Sequence, residues 1–331
     1  MFALTLTCVF HSVLHPFFID LFATRFEIVS NKNNLLVHFI NIGQGDATAI
    51  NFPDGKVMLI DTGCEESNTT YVKYLKENVI STQRKNYIDY LVLSHADMDH
   101  CGGTMKLLKN FKIGTVFMPK LESNSQGYQE ILEYVENNCK FEVLGEEFVV
   151  ENTLYAITFF EILKDNNTND SSQVVKVESA NQSFLFVGDI SSRVETLYVE
   201  KYGKELDVDV LKVSHHGSNT ATSEYFLDCV TPKYAVISVG AENDYGHPTG
   251  EVLEILKENH IDILRTDIHE NVLFVVGKDY HLFQISGKYF ITSLSLNYMS
   301  FVMVVDCCLI VMSVIVIIKK EKKKRVRGNK K

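Results

Sequence analysis

The sequence predicts an α/β domain in which short apolar strands alternate with amphipathic helices. Runs rich in Val, Ile, Leu and Phe recur between turn signals. Stretches with apolar residues at three- and four-residue spacing fall between them. In addition, three of the strand-like runs end in clusters of His, Asp and Gly, which points to a site built at strand ends.

Strands are expected at Leu35–Ile42, Ala47–Phe52 and Val57–Ile60, with Pro53-Asp54-Gly55 as a hairpin turn between the last two. Val72, Leu75 and Val79 form the first helical stripe. The run from Ile88 to Ser94 reads as a strand, with Leu91–Ser94 its core, and Thr104 to Phe111 as a helix. Tyr128, Ile131, Leu132 and Val135 mark a further helix. Strands follow at Ala156–Leu163, Gln173–Ser179 and Ser183–Val187. Val194, Leu197 and Tyr198 give a helix, Val210–Val213 and Tyr234–Val239 strands, Val252, Leu253, Ile255 and Leu256 a helix, and Val272–Val276 a strand. The stripes need only a core-facing reading. Residues 31–288 are long enough for one well-buried domain, and no linker interrupts them.

The chemistry concentrates in His95-Ala96-Asp97-Met98-Asp99-His100, two imidazoles and two carboxylates in one turn behind a strand. Carboxylates and neutral imidazoles are the ligands of hydrolytic metal ions. Leu185-Phe186-Val187-Gly188-Asp189 ends an apolar run in glycine and a single carboxylate that can bridge two cations. Val210-Leu211-Lys212-Val213-Ser214-His215-His216-Gly217 delivers two imidazoles to a strand end. Adjacent histidines diverge from an extended backbone, so one of His215 and His216 is expected to be a ligand. The other would orient it or touch substrate.

These segments resemble the metallo-β-lactamase superfamily, most closely the hydrolase-like domain of the competence protein ComEC family. The resemblance is carried by Val37 to Ala47 (VHFINIGQGDA), Leu59-Ile60-Asp61-Thr62-Gly63, Leu93 to Gly103 (LSHADMDHCGG) and Asn169-Asp170-Ser171-Ser172. It continues through Gly188-Asp189, Ser214 to Ser218 (SHHGS), Tyr245-Gly246-His247-Pro248 and Arg265-Thr266-Asp267. It runs from about Leu35 to about Ile285. It implies a four-layer αββα sandwich and hydrolysis by a hydroxide activated between two divalent cations. By matching positions, His95 and Asp97 would serve one metal and Asp99 and His100 the other. Asp189 would be shared, and His215 or His216 would complete the second. Asp61 would tie the ligand loops together by hydrogen bonds, with Asn169 and Ser172 beside the site or the substrate. Asp99 would take part in catalysis. His247 is read either as donating a proton to the leaving group, as binding an anionic substrate, or as a simple loop histidine.

The chain departs from the broad superfamily pattern twice. HxHxDH is HxDxDH here, with Asp97 in place of a second His, a change that ComEC-like sequences share. The histidine common in the loop before the bridging Asp has no match in Asn169-Asp170-Ser171-Ser172. One site is therefore richer in oxygen; zinc is the first expectation and manganese the second.

The net charge is −10, and the tail 319–331 holds nine basic residues and one acidic residue, leaving a body with a balance of −18. Such a body repels a polyanion unless the metals offset its field. The resemblance points to a phosphodiester, with nucleic acid as one candidate. Alternatives are a carboxylic or lactone ester, a choline-phosphate ester, or a non-catalytic membrane-tethered scaffold with a vestigial metal site. No protein partner is indicated. Residues 296–318 are apolar enough to form a transmembrane helix, followed by a polybasic, cytoplasmic tail at 319–331. Residues 1–30 form an apolar segment that is a poor signal peptide but a possible anchor. With an N-terminal signal or span this arrangement places the catalytic domain outside the cytoplasm; if that segment does not insert, the C-terminal anchor leaves the domain in the cytoplasm. The seven cysteines show no paired spacing.

Overall fold

The computed structural model describes residues 33–294, apart from 81–83, 85, 120–124, 164–166, 181, 279 and 286–287. The strands of the first sheet are β1 (Leu35–Phe39), β2 (Thr48–Asn51), β3 (Val57–Ile60), β4 (Tyr87–Val92), β5 (Lys112–Pro119) and β6 (Phe141–Leu144). Those of the second are β7 (Phe148–Glu151), β8 (Tyr155–Phe159), β9 (Val175–Ser179), β10 (Gln182–Phe186), β11 (Val210–Lys212), β12 (Tyr234–Ile237) and β13 (Asp262–Arg265). The chain then returns to the first sheet as β14 (Val272–Val276), β15 (Tyr280–Ile285) and β16 (Lys288–Leu294). Among the described residues the orders are β16-β15-β14-β1-β2-β3-β4-β5-β6 and β13-β12-β11-β10-β9-β8-β7.

Three apolar cores separate four layers. Strand residues alternate between faces, and the alternation sorts them cleanly. Leu35, Val37, Phe39, Met58, Ile60, Val175, Val177, Phe184, Phe186, Val210, Val236 and Phe274 meet between the sheets. Val57, Leu59, Leu91 and Val116 face α1 (Asn68–Tyr74), α2 (Met98–Cys101), α3 (Thr104–Asn110) and α4 (Gln126–Asn138) on one outer side. Leu185, Leu211, Ala235 and Ile237 face α5 (Ser192–Tyr202), α6 (Glu224–Val230) and α7 (Gly250–Glu258) on the other. The αββα sandwich expected from the resemblance is thus the observed architecture.

β3 and β14 coincide with the expected strands, because both are apolar throughout and buried on both faces. β5, β6, β7, β13 and β15 were not anticipated: β5 is interrupted by Gly114 and ends in Pro119, β15 mixes polar with apolar residues, and the other three are four-residue strands with polar or exposed positions, too short to show a period. β16 carries the first sheet to Leu294, beyond the boundary expected at 288. The N-terminal segment 1–30, the proposed span 296–318 and the tail 319–331 lie outside the described residues. Among the described residues no helix is long and apolar enough to cross a membrane.

β3 and β4 are parallel, as are β10, β11 and β12. Parallel neighbours present their C-terminal ends side by side, about 4.8 Å apart. The loops carrying Asp61, His95–His100, Asp189, His215–His216 and Ser238 all leave from those ends.

Candidate metal centre

Three histidines converge with their Nε2 atoms inward, and the partners of their Nδ1 atoms explain why. His216 Nδ1 lies 2.9 Å from the Ser238 carbonyl, which can only accept, so this nitrogen carries the proton. His100 Nδ1 lies 2.7 Å from Asp61 Oδ2 and donates to that carboxylate. Ser94 Oγ donates to Asp61 Oδ2 at 2.7 Å, so towards His95 Nδ1, 2.9 Å away, it accepts. Each Nε2 is left with a bare lone pair. The Nε2 atoms of His100 and His216 are 3.3 Å apart, close enough to share a cation or a proton. His95, His100 and Asp189 each offer a ligand atom within 4.8 Å of one another. His95 Nε2 and Asp189 Oδ1 are buried and accept no hydrogen bond.

The spacing fits a metal. His100 Nε2 lies 3.2 Å from Asp189 Oδ1, and His216 Nε2 lies 3.2 Å from Asp99 Oδ2 and 3.6 Å from Asp189 Oδ2. A tetrahedral centre with bonds of about 2.0–2.1 Å has edges of about 3.3–3.4 Å. The donor set, imidazole with carboxylate, suits zinc and tolerates manganese.

The charges respond as an ion site requires. Burial opposes protonation of His100, but Asp189 and Asp61 outweigh it and hold its pKa well above the usual imidazole range. Burial likewise opposes protonation of His216, and Asp189 and Asp99 reverse the effect. His95 is shifted down, by burial first and His100 second. Burial also opposes ionisation of Asp189 and Asp99. Asp189 is nevertheless pulled far below the carboxylate range by His100 and His216, and Asp99 is pulled down by the hydrogen bond and charge of His216 together with the charge of His100.

The other anticipated residues take clear places. Asp61 accepts from Ser94 N at 2.8 Å as well as from Ser94 Oγ and His100, which ties β3 to the ligand turn. Asp97, expected beside His95, directs Oδ1 to Thr168 Oγ1 at 2.9 Å and belongs to neither compact group of ligand atoms. Ser172 Oγ accepts from Asp189 N at 3.1 Å and donates to the Asn169 carbonyl at 2.6 Å, so this pair aims the Asp189 loop. Gly188, at φ +55°, permits that contact: a Cβ there would stand 2.6 Å from Ser172 Cβ.

His215 and His216 do not diverge from an extended backbone as expected. Both adopt left-handed φ values, 50° and 54°, in a tight turn. The turn buries His216 among the ligands and leaves His215 half-exposed, its Nε2 3.8 Å from Asp189 Oδ2. His215 packs edge-on against His247 at 5.7 Å, and His247 stacks with Tyr245 at 5.8 Å. These three rings form one rim of the site. His247 has a depressed pKa, from burial first and then from the neighbouring His215.

Ser94, Thr168, Ser238, Asp46 and Lys212 were not anticipated as parts of the site. Asp46 is buried in the turn after β1, with its amide bonded to the Asp99 carbonyl at 3.1 Å. Gly45 makes that approach possible, because a Cβ there would meet the Asp99 oxygen at 2.3 Å. Lys212 was detectable: it is the one charged side chain in an otherwise apolar strand run, and it lies buried with Nζ 2.6 Å from Asp46 Oδ2.

A four-layer sandwich with imidazole and carboxylate side chains gathered at parallel strand ends defines a metal-binding α/β architecture. The chain belongs to the metallo-beta-lactamase superfamily, whose sequence pattern matches residues 40–241. It is similar to ComE operon protein 3 of Bacillus subtilis, 32% identical over 247 residues covering 70% of this chain and 32% of that protein. It is also similar to Competence protein ComA of Neisseria gonorrhoeae, 31% identical over 248 residues covering 75% and 33%. Recombination protein 2 of Haemophilus influenzae is 32% identical over 257 residues, 76% of this chain and 29% of that one. The chain spans about a third of the length of these relatives. Membership implies binding of a divalent metal.

Proposed function

We propose that this chain is a hydrolase that holds two divalent cations and cleaves phosphodiester bonds. One observation carries the reading: His95, His100 and His216 each have Nδ1 committed to a partner and Nε2 turned to the space around Asp189. Asp99, His100 and His216 would hold one cation, and His95 with an oxygen of Asp97 the other, with Asp189 shared. Zinc is the expected metal and manganese the competitor. When bound, the cations lower the pKa of coordinated water and polarise the phosphoryl oxygen.

The protein's own groups do the rest. Asp61 and Ser94 engage Nδ1 of His100 and His95, so Nε2 is the nitrogen each ring would present to a cation. His247 has its Nδ1 buried without a hydrogen-bond partner and stands beside His215 on the rim. In this reading it would hand a proton to the leaving oxygen.

Relatives named for competence and recombination favour a polynucleotide as the phosphodiester. The acidic body lends no electrostatic pull of its own, so the metals must supply the attraction. In the same reading, residues 296–318 anchor the protein, 319–331 stay in the cytoplasm, and the domain faces outward.

The test is metal content of the purified protein together with turnover of bis(p-nitrophenyl) phosphate and of single- and double-stranded DNA. A lactone, a carboxylic ester and a choline-phosphate ester are the controls. Bound metal with phosphodiester turnover supports the reading. Metal without turnover on any ester refutes it in favour of a scaffold, and turnover confined to the control esters refutes the substrate class.

A further inference from the structure

Behind the imidazoles, on the side away from Asp189, lies a buried ion pair for which the hydrolytic scheme has no use. Lys212 projects from β11 in register with Phe186 and Val236, residues that face the gap between the sheets. Its Nζ crosses to Asp46 Oδ2 at 2.6 Å and donates to the Val213 carbonyl at 2.9 Å. Lys212 is only 3% exposed and Asp46 5%.

Asp46 looks like a ligand by position: its carboxylate forms a compact group with His100 and His216. The nitrogens it faces are the wrong ones. It stands 3.8 Å from Nδ1 of His100 and 3.8 Å from Nδ1 of His216. Both atoms carry protons already given to Asp61 and to Ser238. A cation cannot sit there, and 3.8 Å is too long for a hydrogen bond. Asp46 Oδ1 is buried and unpartnered. The Asp46 backbone is fixed at both ends, its amide on the Asp99 carbonyl and its carbonyl on the Gly63 amide. Only the side chain is free to turn, and Lys212 is what holds it.

We propose that Lys212 is a positioning residue that pins Asp46 behind His100 and His216, keeping this carboxylate from drawing on the imidazoles and the metal centre. Released, Asp46 would satisfy its buried oxygens by taking the Nδ1 hydrogens or by swinging towards the cations. Either move adds uncompensated negative charge one imidazole away from the metals. Cations then bind more tightly, while a less positive centre stabilises the developing charge on a phosphoryl group less well. A purely structural Lys212 would have the opposite signature, with metal binding and turnover weakening together.

The inference rests on the proposed hydrolase reading for its turnover arm alone. The test measures zinc affinity of the full chain by chelator competition, with kcat on bis(p-nitrophenyl) phosphate alongside. Lys212→Met is expected to bind zinc at least tenfold more tightly and to lose at least tenfold in kcat. Lys212→Arg, which keeps the charge, should stay within about threefold in affinity. Adding Asp46→Asn to Lys212→Met should return affinity to within about threefold of the parent. Unchanged or weaker zinc binding in folded Lys212→Met overturns the proposal. If Lys212→Met does not fold, the double variant decides: affinity near the parent supports charge pinning, and a loss of tenfold or more overturns it. A parent that binds zinc but turns over no ester sinks the hydrolase reading and leaves the affinity arm intact.

Discussion

Replacing Asp61 with Asn separates the two things that carboxylate does. It accepts from Ser94 N at 2.8 Å through Oδ1 and from Ser94 Oγ and His100 Nδ1, both at 2.7 Å, through Oδ2. Its φ of 59° is one that Asn tolerates, so the backbone need not move. The amide NH2 must replace one oxygen. In place of Oδ2 it confronts two donors; in place of Oδ1 it confronts only the Ser94 amide, and this is the cheaper orientation. One orphaned buried N–H costs about 1–3 kcal/mol, and exchanging a charged for a neutral acceptor at His100 costs about 1 kcal/mol more. The metal-free protein should therefore lose about 2–4 kcal/mol of stability. His100 keeps its tautomer but becomes a poorer donor to metal, and loss of such a supporting carboxylate typically costs tenfold to hundredfold in affinity. Denaturant unfolding of the metal-free protein reads the first quantity and chelator competition the second. The competition is best run at pH 8.5, because without Asp61 a proton also competes less strongly for His100. Zinc affinity within twofold of the parent would refute the assignment of Asp61 as the support of His100.

Asp99→Ala and Asp189→Ala should each abolish turnover while leaving far-ultraviolet circular dichroism unchanged; normal rates in either would remove that residue from the site. His216→Ala should lower zinc stoichiometry or affinity sharply and His215→Ala should not, since only His216 has its Nδ1 on a carbonyl and its Nε2 among the carboxylates; equal effects in metal analysis would contradict that division. Deleting residues 296–331 should move the protein from the membrane fraction to the supernatant, and a truncated chain that still sediments would mean that another segment holds it. Burial lowers the pKa of His38 from 6.5 to about 4. The unfolded chain then binds a proton that the folded one refuses, so stability falls as pH drops from about 6.5 to about 4, by about 3 kcal/mol in total. His38→Gln should flatten that part of the pH–stability curve, and an unchanged slope would exclude His38 as its source.

Much of the site was legible because strand ends are legible. An apolar run that stops at Gly188-Asp189, or at Ser214-His215-His216, announces a buried strand delivering polar groups to its C-terminal edge. β10 and β11 do this. Short, partly exposed strands at the sheet margins, such as β6 and β7, gave no comparable contrast. The choice between His215 and His216 could not be read from residue order. It depends on two successive left-handed residues and on the Ser238 carbonyl just beyond β12, some twenty residues away. The setting of Asp97 could not be read for a similar reason: Thr168 donates to one of its oxygens from a loop whose position the sequence does not announce.

The buried charges follow from the same architecture. Adjacent parallel strands lie about 4.8 Å apart, which lets neighbouring loops share a cation, but facing sheets lie about 10 Å apart. His95, His100 and Asp61 belong to the first sheet and Asp189 and His216 to the second, so the centre must be assembled across the wider gap. An imidazole cannot span that distance from a strand, and a lysine can. Lys212 reaches from the second sheet to Asp46, whose backbone is bonded to the Asp99 carbonyl of the first. A lysine in the middle of an apolar strand is costly unless paired. Its presence here makes physical sense as the partner that holds the Asp46 carboxylate in place behind the imidazoles.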